Sequence, residues 1–271
     1  MIRREVFLHE QGNTMAKIVS VHSFRGGTGK SNTTSNLATT IARYGNRVGI
    51  VDTDIHSPGV HALFGLDEER IGYALNDYLW GNCAIKEAAY DVSQILQVEQ
   101  GQATAPNSAL YLVPSSIKAT EIARILSEGY DVELLNDGFH SLIDSLKLDY
   151  LFIDTHPGIN EETLLSIAMS DVLMLILRPD KQDYQGTAVT VDIAYELGVS
   201  KMLLVVNKAL PKFDFEALRQ KVQTTYNVPV AGVFPLSEEM VELASSDLFC
   251  LRYPEHPWTQ EINKVARQIL S

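Results

Sequence analysis

The stretch Phe24–Ser31 reads FRGGTGKS and directly follows Lys17–His22, an apolar run with the composition of a β-strand. Its three glycines leave backbone N–H groups free to wrap around an anion. Lys30 is placed to reach the outer phosphates of a nucleotide, and the Ser31 hydroxyl is placed to ligate Mg²⁺. Residues 32–43 then show helical spacing, so the phosphates would lie at a helix N-terminus. The order strand, loop, helix predicts a phosphate-binding loop.

Short apolar runs alternate with helical patterns along the chain, which predicts a parallel sheet. The predicted strands are 18–23, 48–52, 110–113, 150–154, 172–177, 202–206 and 230–234. The predicted helices are 32–43, 74–80, 117–127, 132–147, 161–169, 183–197, 214–224, 237–246 and 258–270. We therefore predict an α/β fold, a doubly wound and mainly parallel sheet of about seven strands with helices on both faces. Residues 15–271 are predicted to be one domain, preceded by an extension of residues 1–14.

Composition limits the class of protein. The chain has 271 residues and a net charge of −12, which makes non-specific DNA binding by charge alone unlikely. Its longest apolar runs are too short to span a membrane, and no basic amphipathic tail follows the helix predicted at 258–270, so we expect no direct membrane anchor. Only two cysteines occur, Cys83 and Cys250, which suits a reducing cytoplasm and offers no Cys-x-x-Cys metal site.

Acidic side chains follow two of the predicted strands, where doubly wound sheets bind their ligands. Asp52 and Asp54 end the second strand, and Asp154 ends the apolar run 151–154. A strand that ends in this way has the form of a Walker B element, whose carboxylate holds Mg²⁺ directly or through water. His156 follows two residues later and is a candidate general base, but a single loop histidine is more often structural or solvated.

The glycine-rich stretch resembles the phosphate loop of the MinD/ParA family of P-loop ATPases, and the resemblance covers about residues 17–270. Phe24 stands where the general pattern Gly-x-x-x-x-Gly-Lys-[Ser/Thr] has its first glycine. Arg25 stands where the family has a lysine that reaches across a nucleotide sandwich dimer to the partner's phosphates. The positive charge is kept, but a planar fork replaces a point cation.

The resemblance implies roles for individual residues. Asp52 to Pro58 is similar to the family's switch I, so Asp54 would orient the attacking water and Asp52 would support the water shell of the metal. Asn207 would read the adenine edge, and Pro235 would pack against the base. ATP is favoured over GTP because no Asp follows Lys208 as in a guanine reader. The implied nucleotide contacts are Arg25, Gly26, Gly27, Thr28, Gly29, Lys30, Ser31, Asn32, Asn207 and Pro235. The implied metal residues are Ser31, Asp52 and Asp154, and the implied catalytic residues are Lys30, Asp54 and Arg25.

The function expected from this resemblance is a switch that binds and hydrolyses Mg-ATP, dimerises with ATP, and positions or regulates another cellular component. We expect slow turnover without a protein activator or cargo adaptor. One alternative is a nucleotide-locked scaffold with little turnover, because Arg25 replaces the lysine. Another alternative is an iron–sulfur carrier ATPase, which is disfavoured because Cys83 and Cys250 do not form a Cys-x-x-Cys motif. The stretches 75–81, 111–117 and 178–187 are interpreted as dimer or partner surface, with ordinary loop packing as the equal alternative.

Overall fold

The computed structural model describes residues 16–97 and 105–271. The predicted extension 1–14 and Met15 lie outside the described residues. Residues 98–104 also lie outside the described residues.

Eight strands form one sheet within these two ranges, in the order β3-β4-β2-β5-β1-β6-β7-β8. The strands are β1 (Lys17–His22), β2 (Arg47–Asp52), β3 (Tyr90–Asp91), β4 (Ala109–Val113), β5 (Tyr150–Asp154), β6 (Val172–Leu177), β7 (Met202–Ala209) and β8 (Val230–Pro235). All pairings are parallel except that between β3 and β4. The seven predicted strands are confirmed. The eighth, β3, has two residues and is too short to show an alternating pattern.

Eleven α-helices accompany the sheet in the part of the chain described. They are α1 (Lys30–Arg43), α2 (Val60–Leu63), α3 (Leu75–Leu79), α4 (Ala119–Glu128), α5 (Glu133–Leu146), α6 (Glu161–Met169), α7 (Lys181–Glu196), α8 (Phe215–Tyr226), α9 (Glu238–Leu243), α10 (Phe249–Arg252) and α11 (Pro257–Leu270). Nine lie where the sequence predicts helices, with shifted ends. The other two, α2 and α10, have four residues each, about one turn, and therefore carry no helical period.

Helices cover both faces of the sheet, as predicted, because successive strand side chains point to opposite sides. On β5, Phe152 packs into the cluster that holds buried side chains of α1 and α11, whereas Leu151 and Ile153 pack with those of α3 and α5. The helices α7 and α8 cover the second face beside β6 and β7. Ile262 and Val265 of α11 are fully buried, which confirms that this helix packs on the sheet.

The strand β1 lies between β5 and β6, so the chain leaves the middle of the sheet when it enters the glycine-rich loop. In doubly wound folds, the ligand site forms at the carboxyl ends of the strands where the strand order reverses. The loops after β1, β2, β5 and β7 therefore meet at one edge. No helix among the described residues combines the length and apolar character needed to cross a membrane.

Candidate functional site

The glycine-rich loop is held tightly between β1 and α1. Gly27 and Gly29 have φ values of 73° and 94°, in the left-handed region that favours glycine. A Cβ on Gly29 would lie 2.5 Å from Nδ2 of Asn207, so this position has no room for a side chain. Lys30 begins α1 and is only 6% exposed. The loop thus has the backbone freedom and the buried cation that a phosphate cradle needs.

Asp154, at the end of β5, lies against the first turn of α1. The Ser31 hydroxyl donates to Asp154 Oδ2 at 2.6 Å, and Thr34 Oγ1 lies 2.9 Å from Asp154 Oδ1. Both carboxylate oxygens therefore face hydroxyl groups of the helix that carries Lys30. Thr34 was not singled out from the sequence, although its spacing of four residues from Lys30 places both on one helix face.

Buried carboxylates give the site an unfavourable charge that a cation would relieve. Burial raises the pKa of Asp154 to about 6, against the opposing effects of Lys30 and the two hydroxyl groups. Asp52 is its neighbour across the β2–β5 pairing, and burial together with the Asp154 charge raises the pKa of Asp52 well above its usual value. Asp52 also accepts from the N–H groups of Gly59 and Val60, at 3.1 and 3.2 Å, and so caps the start of α2.

Asp54 lies beside the same carboxylates and is 8% exposed. Burial raises its pKa, while the charges of His156 and Lys30 oppose that rise. His156 Nε2 is 3.9 Å from Asp54 Oδ1, and its Nδ1 donates to the carbonyl of Pro157 at 2.6 Å. The His156 ring also meets the edge of His56, with 4.7 Å between ring centroids. The second-strand loop and the loop after β5 are therefore in contact.

His22 connects the base of the glycine-rich loop to the loop after β5. Its Nδ1 lies 2.7 Å from Thr155 Oγ1, which itself donates to the carbonyl of Val21 at 3.0 Å. His22 is fully buried, and burial lowers its pKa to about 3, so the ring is neutral at physiological pH. No pattern in the sequence singled out this histidine.

The Arg25 side chain points toward α7. It donates to Gln182 Oε1, and its Nη1 lies 4.0 Å from Asp183 Oδ1. Asp183 is held mainly by Arg178, through two hydrogen bonds of 2.9 and 3.0 Å. The preceding residue, Phe24, packs so closely on Gly186 of α7 that a Cβ there would overlap the aromatic ring. Several residues of the stretch 178–187 thus position the start of the loop.

The remaining predicted nucleotide contacts are spread along the same edge. Asn207 is buried and donates to the carbonyl of Thr28 at 2.8 Å. Asn32 donates to Ser245 Oγ at 3.2 Å, and Pro235 ends β8. The contacts of Asn207 and Pro235 with the base, and of Asn32 with the nucleotide, stay predictions.

The predicted partner surfaces near α3 are partly internal. Leu75 and Asn76 are fully buried, and Leu75 N–H donates to the carbonyl of Pro114 at 2.8 Å. The Ser115 hydroxyl donates to the carbonyl of Asp52 at 2.7 Å, and Ser116 N–H donates to Asn76 Oδ1 at 2.8 Å. These contacts are loop packing, and through Ser115 they hold the end of β2 in place.

Comparison with known proteins identifies the family. A family profile described as "ParA: NUBPL iron-transfer P-loop NTPase" matches residues 14–270. The chain belongs to the ParA family of P-loop NTPases. Among its relatives is an uncharacterized ATP-binding protein of Methanocaldococcus jannaschii, 26% identical, with 94% of this chain and 88% of that protein covered.

Solved structures of this family share the fold. The cell division ATPase MinD of Pyrococcus furiosus superimposes with a TM-score of 0.76 at 22% identity, covering 94% of this chain and 99% of that one. The septum site-determining protein MinD of Pyrococcus horikoshii, complexed with Mg-ADP, gives 0.74 at 22% identity, covering 94% and 96%. The predicted P-loop NTPase fold and the MinD/ParA resemblance are therefore confirmed.

The residues of this ParA-family chain fit a nucleotide and Mg²⁺. Thr28 Oγ1, inside the loop, is buried without a hydrogen-bond partner among the described residues. Ser31 and Asp154 offer hard oxygen ligands 2.6 Å apart, and Mg²⁺ commonly takes one or two protein oxygens together with substrate phosphates. The donor set therefore has the chemistry that this cation requires.

The family description mentions iron transfer, but this chain has no matching pair of cysteines. Cys83 follows α3 and packs with the cluster of α3 and α5, whereas Cys250 lies in α10, beside the cluster on the opposite face. Burial raises the pKa of Cys83 to about 11 and that of Cys250 to about 12, so neither thiol is activated.

Substitution of Asp154 by Asn should stabilise the ligand-free protein. Since the pKa of Asp154 rises from 3.8 unfolded to about 6 folded, the folded state holds the proton more tightly, and stability falls as pH rises between those values. Asp154→Asn removes that cost, so we expect about 1 to 3 kcal/mol of added stability at pH 7.5 in urea unfolding. The gain in stability should vanish at pH 4. A gain of equal size at both pH values would show that the raised pKa of Asp154 is not its cause.

Proposed function

We propose that this protein is a Mg-ATP-binding and ATP-hydrolysing switch of the MinD/ParA type, carried by one P-loop domain over residues 15–271. The observation that supports the proposal best is the meeting of Lys30, Ser31, Asp54 and Asp154 at the carboxyl edge of the sheet. These groups come from three separate segments of the chain. Together they supply the cation, the metal ligands and the carboxylate that phosphoryl transfer to water requires.

Each group has a distinct task in this proposal. Lys30 binds the outer phosphates, Ser31 and Asp154 hold Mg²⁺, and Asp52 supports the water shell of the metal. When bound, Mg²⁺ would neutralise charge on the phosphate oxygens. ATP is the proposed nucleotide, with Asn207 and Pro235 on the base.

Asp54 is the residue that we propose to orient the attacking water. Phosphoryl transfer needs mainly positioning and charge stabilisation, so a single well-placed acceptor is sufficient. Burial raises the pKa of Asp54, and the nearby Lys30 opposes that rise and so favours the ionised carboxylate, which is the form that accepts a hydrogen bond from water. The Ser57 N–H, 3.2 Å from Asp54 Oδ1, helps to hold the side chain in place.

A comparison of turnover with and without the metal and a partner tests the proposal. Phosphate release from ATP should be slow for the pure protein, absent in excess EDTA, and faster after addition of cell extract. Turnover that stays near zero in extract, with tight ATP binding, would favour the nucleotide-locked scaffold. Protein that is brown when purified without oxygen would favour an iron–sulfur carrier.

The proposed switch dimerises with ATP and interacts with a protein activator or cargo adaptor in the cytoplasm. We expect no non-specific DNA binding at physiological salt, given the net charge of −12.

Arg25 is proposed to act on the phosphates of a partner protomer. Its side chain is 41% exposed and directed toward α7, so an ATP-bound partner can compete for it with Gln182. A guanidinium in that position would act as an arginine finger, which contributes about 10³- to 10⁵-fold to rate.

A mixing experiment tests this role. Arg25→Ala and Asp54→Ala proteins should each hydrolyse ATP slowly, whereas their mixture should recover activity, because one site of the mixed dimer keeps Asp54 and receives Arg25. Arg70→Ala, which alters an exposed surface arginine, serves as the control and should lose no activity alone. Mixed dimers proven by affinity tags but without recovered hydrolysis would show that Arg25 acts within its own protomer.

A further inference from the structure

The carboxyl end of β7 carries a bulge beside the phosphate loop. Val206 pairs with Val233 and Ala209 pairs with Pro235, so three steps along β7 oppose two along β8. Lys208 lies inside this bulge with a φ of 56°, a left-handed conformation that is costly for a residue with a Cβ. Bulges next to ligand sites commonly redirect a side chain. A strained backbone of this kind persists only when the surrounding contacts stabilise it.

Both side chains in the bulge hold carbonyl oxygens of the phosphate loop. Lys208 Nζ donates to the carbonyl of Gly27, and Asn207 Nδ2 donates to the carbonyl of Thr28, each at 2.8 Å. Asn207 Oδ1 accepts from the Lys208 N–H, also at 2.8 Å, which ties the two residues together. Two consecutive carbonyl groups of the loop are thus turned toward the end of β7.

Because the peptide group is planar, these contacts also determine the direction in which the N–H groups of the loop point. In a trans peptide, the C=O of one residue and the N–H of the next point in opposite directions. When Lys208 holds the Gly27 carbonyl, the Thr28 N–H must point away from β7. In the same way, the contact between Asn207 and the Thr28 carbonyl turns the Gly29 N–H away from β7.

We propose that Lys208, together with Asn207, orients the phosphate loop so that its N–H groups converge on the phosphates of the bound nucleotide. Lys208 is then a positioning residue for phosphate binding and has no part in recognition of the base. Donors that are already oriented need no reorganisation when the anion arrives, which is where the gain in affinity comes from. This inference rests on the proposed function, because it assumes that the loop binds ATP.

A ligand without a base separates phosphate positioning from base reading. Mg-ATP and inorganic tripolyphosphate with Mg²⁺ should be titrated into wild type and Lys208→Met by isothermal titration calorimetry. We expect both affinities to fall by a similar factor, about tenfold for one charge-assisted hydrogen bond, with the preference for ATP over GTP unchanged. Lys208→Arg should regain most of the loss, because its guanidinium can still donate to the Gly27 carbonyl.

Two further variants separate positioning from effects on folding. Lys212→Met alters an exposed lysine in the turn that follows β7 and should change neither affinity. Lys208→Gly relieves the left-handed backbone but removes the ammonium group. It should therefore bind both ligands as weakly as Lys208→Met while melting no lower than wild type.

The possible outcomes are distinct. If Lys208→Met lowers ATP affinity but leaves tripolyphosphate affinity unchanged, Lys208 acts on the nucleoside and the inference is wrong. If both affinities stay at wild-type level in Lys208→Met and Lys208→Gly, the contact has no role in binding. A wild-type protein that binds neither Mg-ATP nor tripolyphosphate would refute the proposed function itself.

Discussion

Lys30→Ala is expected to abolish nucleotide binding at ordinary ATP concentrations. Lys30 is buried at the start of α1, where its ammonium group also faces the acidic residues Asp54 and Asp154. Removing one partner of a buried charge pair costs about 2 to 5 kcal/mol, which corresponds to ~30- to ~4,000-fold in Kd. Isothermal titration calorimetry with Mg-ATP measures the loss directly.

The matched control is Lys264→Ala, which removes an exposed lysine of α11 that pairs with Glu261. It should leave ATP affinity unchanged. Unchanged affinity and hydrolysis in Lys30→Ala would mean that the phosphates bind elsewhere. Circular dichroism and the melting temperature of Lys30→Ala must match wild type, since an unfolded variant also fails to bind.

Asp54→Ala should separate binding from hydrolysis. The variant keeps the phosphate loop, Ser31 and Asp154, so it should bind Mg-ATP with near wild-type affinity. It lacks the carboxylate proposed to orient the attacking water, so hydrolysis should fall by about 10²- to 10⁴-fold. Slow hydrolysis should then leave an ATP-bound dimer, which gel filtration in the presence of ATP detects.

Asp67→Ala provides the control for Asp54→Ala, because Asp67 is an exposed carboxylate that contacts Arg70. Its hydrolysis rate should equal that of wild type. If Asp54→Ala stays monomeric with ATP while wild type dimerises, Asp54 serves dimer formation and not the water. If the variant hydrolyses ATP at the wild-type rate, another group orients the water.

The strand pattern and the glycine-rich stretch were sufficient to predict the fold. Each predicted strand was four to six residues of mostly apolar side chains, and such strands can only be buried inside a sheet covered on both faces. Lys30 and Ser31 were predicted to lie in the loop just before a helix over 32–43, whereas they form the first turn of α1, because a glycine-rich loop does not show where the helical hydrogen bonds begin. Elements without a period could not be found, as β3, α2 and α10 show.

The contacts that join the site were much harder to predict. Thr34 was missed although it shares a helix face with Lys30, because its partner Asp154 lies 120 residues away. The packing of Phe24 on Gly186 explains why a phenylalanine stands at a glycine position of the usual motif. That explanation depends on α7, which is more than 150 residues further along the chain.

The local order of residues 17–43 was enough to specify a phosphate loop, since turn conformation and helix start depend on neighbouring residues. The roles of Asp54, Arg25 and Lys208 depend on which strands lie side by side, and that order is set by packing of the whole sheet. Asn207 shows the difference most clearly. Its position at a strand end was visible in the sequence, but its hydrogen bond to the Thr28 carbonyl exists only because β7 and the loop after β1 meet in three dimensions.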